Sequence, residues 1–303
     1  MWGISPCMKT DTVGRRLRLV RQPLKLQSYH VTPRDIAWLS FLHRHGGRLP
    51  TSYIHDLTKA EFTCFEKTSR RLKNLYHELR LIDRPFQQFE TLDPRRNELV
   101  HEASPTGLEL LKEEGLYSDY APSPKGAFKH QLMLSCVSAS FELNARAKGY
   151  AYTPQHKVLE RLGHDHTIDI DGDKFVPDEV FMLNIDGKEL LIFLEIDRGT
   201  EPTESEAKRK SWKQSIGQYR KLIGHKLYKE RFDVTCGALL MVVTISPAKQ
   251  AGILKVVQDQ FDGSCNYILV HNLPEFGRVF HPPELLDMLG VEWTRCGYPA
   301  FKL

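Results

Sequence analysis

The stretch Phe175–Asp197 constrains the fold most. Two runs of strand length, Phe175–Leu183 and Leu190–Asp197, flank Asn184-Ile185-Asp186-Gly187, a hairpin-turn signal. Ala238–Ile245 is a continuous apolar run of strand length, and Asn266–Val270 reads as another strand. Helical patterns occupy His130–Ala147, Thr203–Arg231 and Pro247–Phe261. The order helix, strands, helix, strand, helix, strand predicts an α/β sheet with covered faces. A chain of 303 residues has room for that sheet and a further domain.

Charge locates the further domain. Residues 1–80 hold 15 Lys+Arg against 6 Asp+Glu, a net +9, while the remainder is −5 and the whole chain +4. A basic first quarter on a mildly acidic body predicts a polyanion-binding module joined to something else. No apolar run approaches the ~20 residues of a membrane span, and no apolar segment follows Met1-Trp2-Gly3 as a secretory signal requires. The six cysteines form no CxxC pair, which argues against a zinc knuckle or a disulfide framework. Scattered cysteines predict a reducing, cytoplasmic setting.

Residues 1–29 read as a basic arm, and 30–120 as a winged helix-turn-helix. Thr32-Pro33 caps a first helix that carries Ile36, Leu39 and Leu42 and ends at Gly46-Gly47. A short second helix runs from Pro50 to about Asp56. A third, from about Glu66 to Leu81, places Leu72, Leu75, Tyr76 and Leu79 on one buried face. Arg70, Lys73, Asn74 and His77 repeat that spacing two residues out of phase, about 200° around the helix. Cations there would meet phosphates, while Asn or Arg would read base edges, with Arg71 and Arg80 flanking the surface. Phe86–Thr91 and Glu98–Glu102 read as extended pieces of a hairpin whose tip carries Arg95 and Arg96, a wing against the DNA backbone. A closing helix spans Thr106–Glu114. The competing reading is a three-helix unit whose basic face is only solvated. Ala121-Pro122-Ser123-Pro124-Lys125-Gly126 marks a linker over 121–128, ahead of a second domain at 129–303.

The chemistry of that second domain concentrates at 175–200. Alternation along a strand points Glu195 and Asp197 to one side, and the hairpin brings Asp178 within reach. Two unit charges ~4 Å apart repel by about 4 kcal/mol at an effective dielectric of 20. A hard divalent cation resolves that repulsion, so the predicted cofactor is Mg²⁺ or Mn²⁺, held by Asp178, Glu195 and Asp197. The competing reading is strand-end acids facing solvent, with Arg198 as an ion-pair partner.

Val176-Pro177-Asp178 followed by Glu195-Ile196-Asp197 resembles the motif of the PD-(D/E)XK, restriction-endonuclease-like nucleases, with Asp197 where the motif usually has lysine. The winged helix joined to Glu195-Ile196-Asp197-Arg198-Gly199-Thr200-Glu201-Pro202 resembles the replication-relaxation family, which overlaps MobC-type conjugative relaxases. The resemblance spans roughly residues 30–245. It implies a C-terminal restriction-endonuclease-like mixed sheet flanked by helices, and metal-dependent nicking of one DNA strand at the transfer origin of a plasmid or mobile element.

The helix after the motif strand often supplies a further group in such nucleases. Gln214 is the first choice on Thr203–Arg231, with Lys210 or Lys213 standing in for the missing lysine. Trp212, Ile216, Tyr219, Ile223 and Leu227 form an apolar stripe there, so Tyr219 reads as core rather than as a covalent nucleophile. Glu142 and His130 on the preceding helix are weaker candidates, and His164-Asp165-His166 reads as a loop. The expected activity is a divalent-metal-dependent DNA endonuclease acting on duplex DNA, alongside other mobilisation or replication proteins. The alternatives are a catalytically inactive DNA-binding replication scaffold and a restriction or defence nuclease of the same chemistry.

Overall fold

The computed structural model describes residues 21, 29–92, 97–123, 126–199, 211–278 and 280–303. The chain divides into two compact units, Met1–Tyr117 and Ser118–Leu303. The boundary falls just ahead of the expected linker. Among the described residues no helix is long and apolar enough to cross a membrane.

The first unit opens with α1 (Pro33–Arg44), where Thr32 and Asp35 form a reciprocal capping box. It continues through β1 (Leu49–Pro50), α2 (Thr51–Thr58), α3 (Phe65–His77), β2 (Ile82–Asp83), α4 (Gln87–Thr91), β3 (Val100–Ala103) and α5 (Pro105–Glu113). The strands pair antiparallel in the order β1-β3-β2, with Leu49 opposite His101 and Ile82 opposite Ala103. Trp38, Leu39, Phe41 and Leu42 of α1 pack the core with Tyr53, Ile54, Leu72 and Leu75. Two expectations are corrected here. Helix α3 stops at His77, so Leu79 lies beyond it. Phe86–Thr91 is not extended, because Gln87–Thr91 is helical and Gln88 points its carboxamide at Val100. Gln88 Oε1 accepts the Val100 N–H and Gln88 Nε2 donates to the Val100 carbonyl, both at 2.9 Å. One side chain thereby does what a neighbouring strand would have done for that residue.

The second unit runs α6 (Phe128–Lys148), β4 (Ala151–Thr153), α7 (Gln155–Leu162), β5 (Ile168–Ile170), β6 (Asp173–Phe175), β7 (Glu179–Ile185), β8 (Lys188–Asp197), α8 (Trp212–Tyr219), α9 (Tyr228–Arg231), β9 (Gly237–Thr244), α10 (Pro247–Gln260), β10 (Cys265–Asn272), β11 (Trp293–Cys296) and β12 (Tyr298–Phe301). The described residues build a seven-stranded mixed sheet, β12-β11-β10-β9-β8-β7-β4, flanked by helices. β4, β7 and β8 are antiparallel neighbours, whereas β8, β9 and β10 run parallel. Asp186 and Gly187 both take positive φ (50° and 82°) at the β7–β8 turn, as the Asp-Gly signal requires.

Alternation sorts the sheet into two faces. Val180, Met182, Leu191, Phe193 and Val242 pack with Trp212, Ile216 and Tyr219 of α8 and Ile253 and Val257 of α10. On the other face Phe181 lies tilted against Phe141 of α6, which in turn stacks on Trp293. The helix expected over Thr203–Arg231 is broken. Residues 203–210 lie outside the described residues, and α8 passes into a π-helical turn, Arg220–Gly224, before α9. A Cβ at Gly224 would come within 3.0 Å of the Tyr267 hydroxyl, so the chain passes β10 there with no side chain. After Pro283 the chain runs through turns to 292 and closes in β11 and β12.

Candidate active site

The basic face of α3 separates into outward and inward residues. Arg70 and Lys73 are exposed and Asn74 half-buried. Lys67, three residues before Arg70 and also exposed, extends the surface and was missed by the sequence pattern. Arg71 turns inward, donating from Nε to Asp35 Oδ1 at 3.0 Å and from its terminal nitrogen to Asp35 Oδ2 at 2.5 Å. Asp35 is fully buried, so this fork fastens α3 to the capping box of α1. His77 is also inside, and burial together with Arg84 and Lys73 pushes its imidazole below the ordinary range. The expectation that Arg71 and His77 sit on an exposed reading face is corrected accordingly. Arg95 and Arg96 lie outside the described residues.

The three carboxylates gather where β7 begins and β8 ends. Glu179 pairs with Leu194, so the antiparallel register carries Asp178 to the level of Glu195. Asp178 immediately precedes β7, is 23% exposed, and accepts the Ile196 backbone N–H at 2.7 Å. Glu195 and Asp197 are buried on the α8 face. Tyr219 donates its hydroxyl to Glu195 Oε1 at 2.7 Å, and the Trp212 indole N–H donates to Asp197 Oδ2 at 3.0 Å. The other Asp197 oxygen accepts the Gly199 N–H at 2.7 Å. Helix α8 therefore runs antiparallel over β8, with residues two helical turns apart meeting acids two strand residues apart.

This geometry reassigns several roles. Gln214 lies on the solvent side of α8, away from the carboxylates, and Lys213 is exposed as well. Lys210 lies outside the described residues. The helix supplies Tyr219 and Trp212 instead, so the apolar stripe concealed two hydrogen-bond donors. Both oxygens of Asp197 are committed to the chain's own N–H groups, which makes it an anchor for the start of α8. By strand alternation alone the sequence places it as a third metal ligand. Among the described residues no three His, Cys, Asp or Glu side chains already converge on a point suited to a metal.

Cations approach this edge from elsewhere. His130, on the first turn of α6, places Nε2 3.4 Å from Asp178 Oδ1. Burial opposes its charge, but the hydrogen bond to Asp178 and the fields of Asp178 and Glu195 hold the imidazole above its ordinary value. Arg198 stacks on Phe280 at 5.1 Å, and Lys129 lies over the same ring at 5.2 Å. On the α6 face, Glu179 is fully buried and accepts from the Ser138 hydroxyl at 2.7 Å, with Tyr152 at 3.5 Å. Burial pushes this carboxyl up to about 8, so it is neutral at pH 7. Glu142, a weaker candidate in the sequence, is buried and paired with Arg146 at 2.7 Å. His164-Asp165-His166 sits in a loop, as read from the sequence.

A mixed α/β sheet with an acidic pair at the β7–β8 end, preceded by a small helical unit with a basic face, is the class that fold and site define. Residues 39–235 match the family model described as replication-relaxation, and with more than half of its length inside that match the chain belongs to this family. No curated protein and no solved structure matches it. The matched region includes α3 and all three carboxylates.

Proposed function

We propose that this chain is a DNA-nicking protein of the relaxase kind, acting in plasmid replication or mobilisation. The observation that carries the reading is the Asp178–Glu195 juxtaposition, fixed by the β7–β8 register and by the Ile196 N–H. The neighbouring strands β4-β7-β8-β9, with α6 before them, α8 between β8 and β9, and α7, β5 and β6 inserted after β4, support the PD-(D/E)XK resemblance, with both acids at the strand ends. The first unit, with three helices and β1-β3-β2 pairing, reads as a winged helix. In it Arg70 and Lys73 meet phosphates and Asn74 reads a base edge.

The donor set fits a hard divalent cation. Mg²⁺ is commonly held by one or two carboxylates, with waters and phosphate oxygens completing the shell, and Asp178 and Glu195 supply that pair. Bound there, Mg²⁺ or Mn²⁺ would neutralise charge on the scissile phosphate and lower the pKa of a water. The chain's own residues do the positioning. Tyr219 fixes the rotamer of Glu195, the Ile196 N–H fixes Asp178, and His130 sets a proton-bearing ring beside Asp178. Trp212 and Gly199 hold Asp197 and with it the end of β8.

The commitment of Asp197, and the lack of a lysine at that position, favour a second reading: a DNA-binding scaffold without cleavage. One experiment separates the two. A supercoiled plasmid carrying a candidate transfer origin is incubated with wild type or Asp178→Ala in EDTA, Mg²⁺ or Mn²⁺. Open circles that require the metal and vanish in the variant support the nuclease. Absence of nicking, with salt-sensitive binding equal in both proteins, supports the scaffold.

A further inference from the structure

Two cations beside the acidic end of the sheet have, among the described residues, no carboxylate partner. Arg198 directly follows Asp197 at the end of β8, and Lys129 directly precedes His130 on the first turn of α6. Both lean on one buried ring: the Arg198 guanidinium carbon lies 5.1 Å and Lys129 Nζ 5.2 Å from the centre of Phe280. Arg198 has one hydrogen bond among the described residues, a long 3.4 Å donation to the Phe276 carbonyl. Burial, and then the field of Arg198, holds the Lys129 ammonium below its ordinary range, and burial lowers Arg198 as well. The acids close by are taken by other donors. Asp178 accepts the Ile196 N–H and faces His130, and Glu195 accepts the Tyr219 hydroxyl. Two like charges packed together are costly until an anion joins them. The face of Phe280 offsets part of that cost but carries no full negative charge.

Both cations are half-buried, so an incoming group can reach them. A guanidinium fork and a compact ammonium are the two side chains that bind phosphate oxygens best. Helix α6 starts at the same corner with Ala127 as its cap and no side-chain acceptor there, which adds the partial positive charge of a helix start. The field of Arg198 is felt at His130, which faces Asp178, so the basic corner borders the acids directly. We propose that Lys129 and Arg198 form a phosphate clamp that holds the backbone of a DNA strand against the Asp178–Glu195 end. The clamp solves a problem that the acids create. A phosphodiester approaching two carboxylates is repelled, and cations flanking them reverse the sign of the local potential. The proposal rests on the nicking reading and adds the side chains that bring the strand to the acids.

The test is acetylation of the full chain in EDTA, read lysine by lysine by mass spectrometry, with no ligand, a short single strand, a duplex or inorganic phosphate alone. With DNA at about ten times its Kd, acetylation of Lys129 should slow roughly tenfold. Arg198→Gln, compared at equal DNA occupancy, should lose most of that protection. Lys129→Gln, read by anisotropy of a labelled oligonucleotide, should bind about tenfold more weakly and lower the salt slope by about one. Circular dichroism checks both folds, and should Arg198→Gln fail to fold, Lys129→Gln decides. Protection by DNA but not by inorganic phosphate assigns the ligand as a backbone phosphodiester, and protection by both adds a free or terminal phosphate. Protection by inorganic phosphate alone overturns the clamp on DNA. So does equal acetylation with and without DNA, protection undiminished in Arg198→Gln, or an affinity and slope unchanged in Lys129→Gln. Because this assay contains no metal, a chain that shields Lys129 yet never nicks loses the nuclease reading and keeps the clamp. Conversely, nicking at the wild-type rate with both cations replaced keeps the nuclease and removes the clamp.

Discussion

The two units treat a buried carboxylate differently. In the first, Asp35 is fully buried and forked onto the Arg71 guanidinium, so a charge is matched by a charge. In the second, Asp197 takes its hydrogen bonds from an indole and a backbone N–H and Glu195 takes one from a phenol, while Glu179, beside hydroxyls, sheds its charge by keeping a proton. Neutral donors orient a carboxylate without cancelling its charge. Pairing of the first kind secures a scaffold, whereas holding of the second kind leaves a negative potential that a cation can answer.

Four measurements sharpen or break that contrast, the largest effect first. Glu179 holds a proton in the folded chain up to about pH 8, while the unfolded chain releases it near its ordinary 4.5. The folded state therefore binds more protons across that window, and unfolding free energy should fall by several kcal/mol as pH rises through it. Calorimetry of the full chain should show the transition of residues 118–303 moving down with rising pH and Glu179→Gln flattening the trend. His101, pushed down to about 3 by burial, gives the first unit the opposite sign: its stability should fall as pH drops from 6.5 toward 3. Identical pH trends in the two units would break the comparison.

Second, Arg71→Ala strands Asp35 without its cation and should cost about 3 kcal/mol in urea unfolding. Third, Asp197→Ala orphans the buried Trp212 N–H and should cost about 2 kcal/mol, whereas Asp178→Ala, at a partly exposed position, should cost less than about 1 and abolish nicking. The reverse pattern would return Asp197 to the metal. Smallest in stability, Arg70→Ala and Lys73→Ala should each stay within about 0.5 kcal/mol. Each should also lower the salt slope of duplex binding by about one.

What the sequence made legible was whatever depends on local period. Strands β8 and β9, the Asp186-Gly187 turn, the Thr32 cap and the buried stripe of α3 could all be read from spacing. The site was legible to the extent that Asp178 and Glu195 share one strand end. Partners distant in sequence were not. Arg71 belongs to the polar stripe by spacing and to Asp35 by contact. Gln214 looked polar and available, but the residues that reach β8 are the two aromatics Trp212 and Tyr219, whose donor atoms hide at the tips of apolar rings. Gln88 substitutes for a strand partner, so a segment expected to be extended could coil into α4. The turn at Arg220–Gly224 answers to Tyr267, more than forty residues away, which no helical pattern records.

The Asp186-Gly187 turn closes the end of the β7–β8 pair opposite Asp178 and Glu195, about 26 Å from Glu195 at 3.3 Å per residue. That makes it a handle. Both turn residues sit in a surface hairpin where added chain is tolerated, so a peptide tag or a labelled cysteine pair inserted between them would report on the protein's attachment to DNA without entering the acidic end. A linker there could also tether this chain to a surface, leaving the strand ends turned toward the substrate.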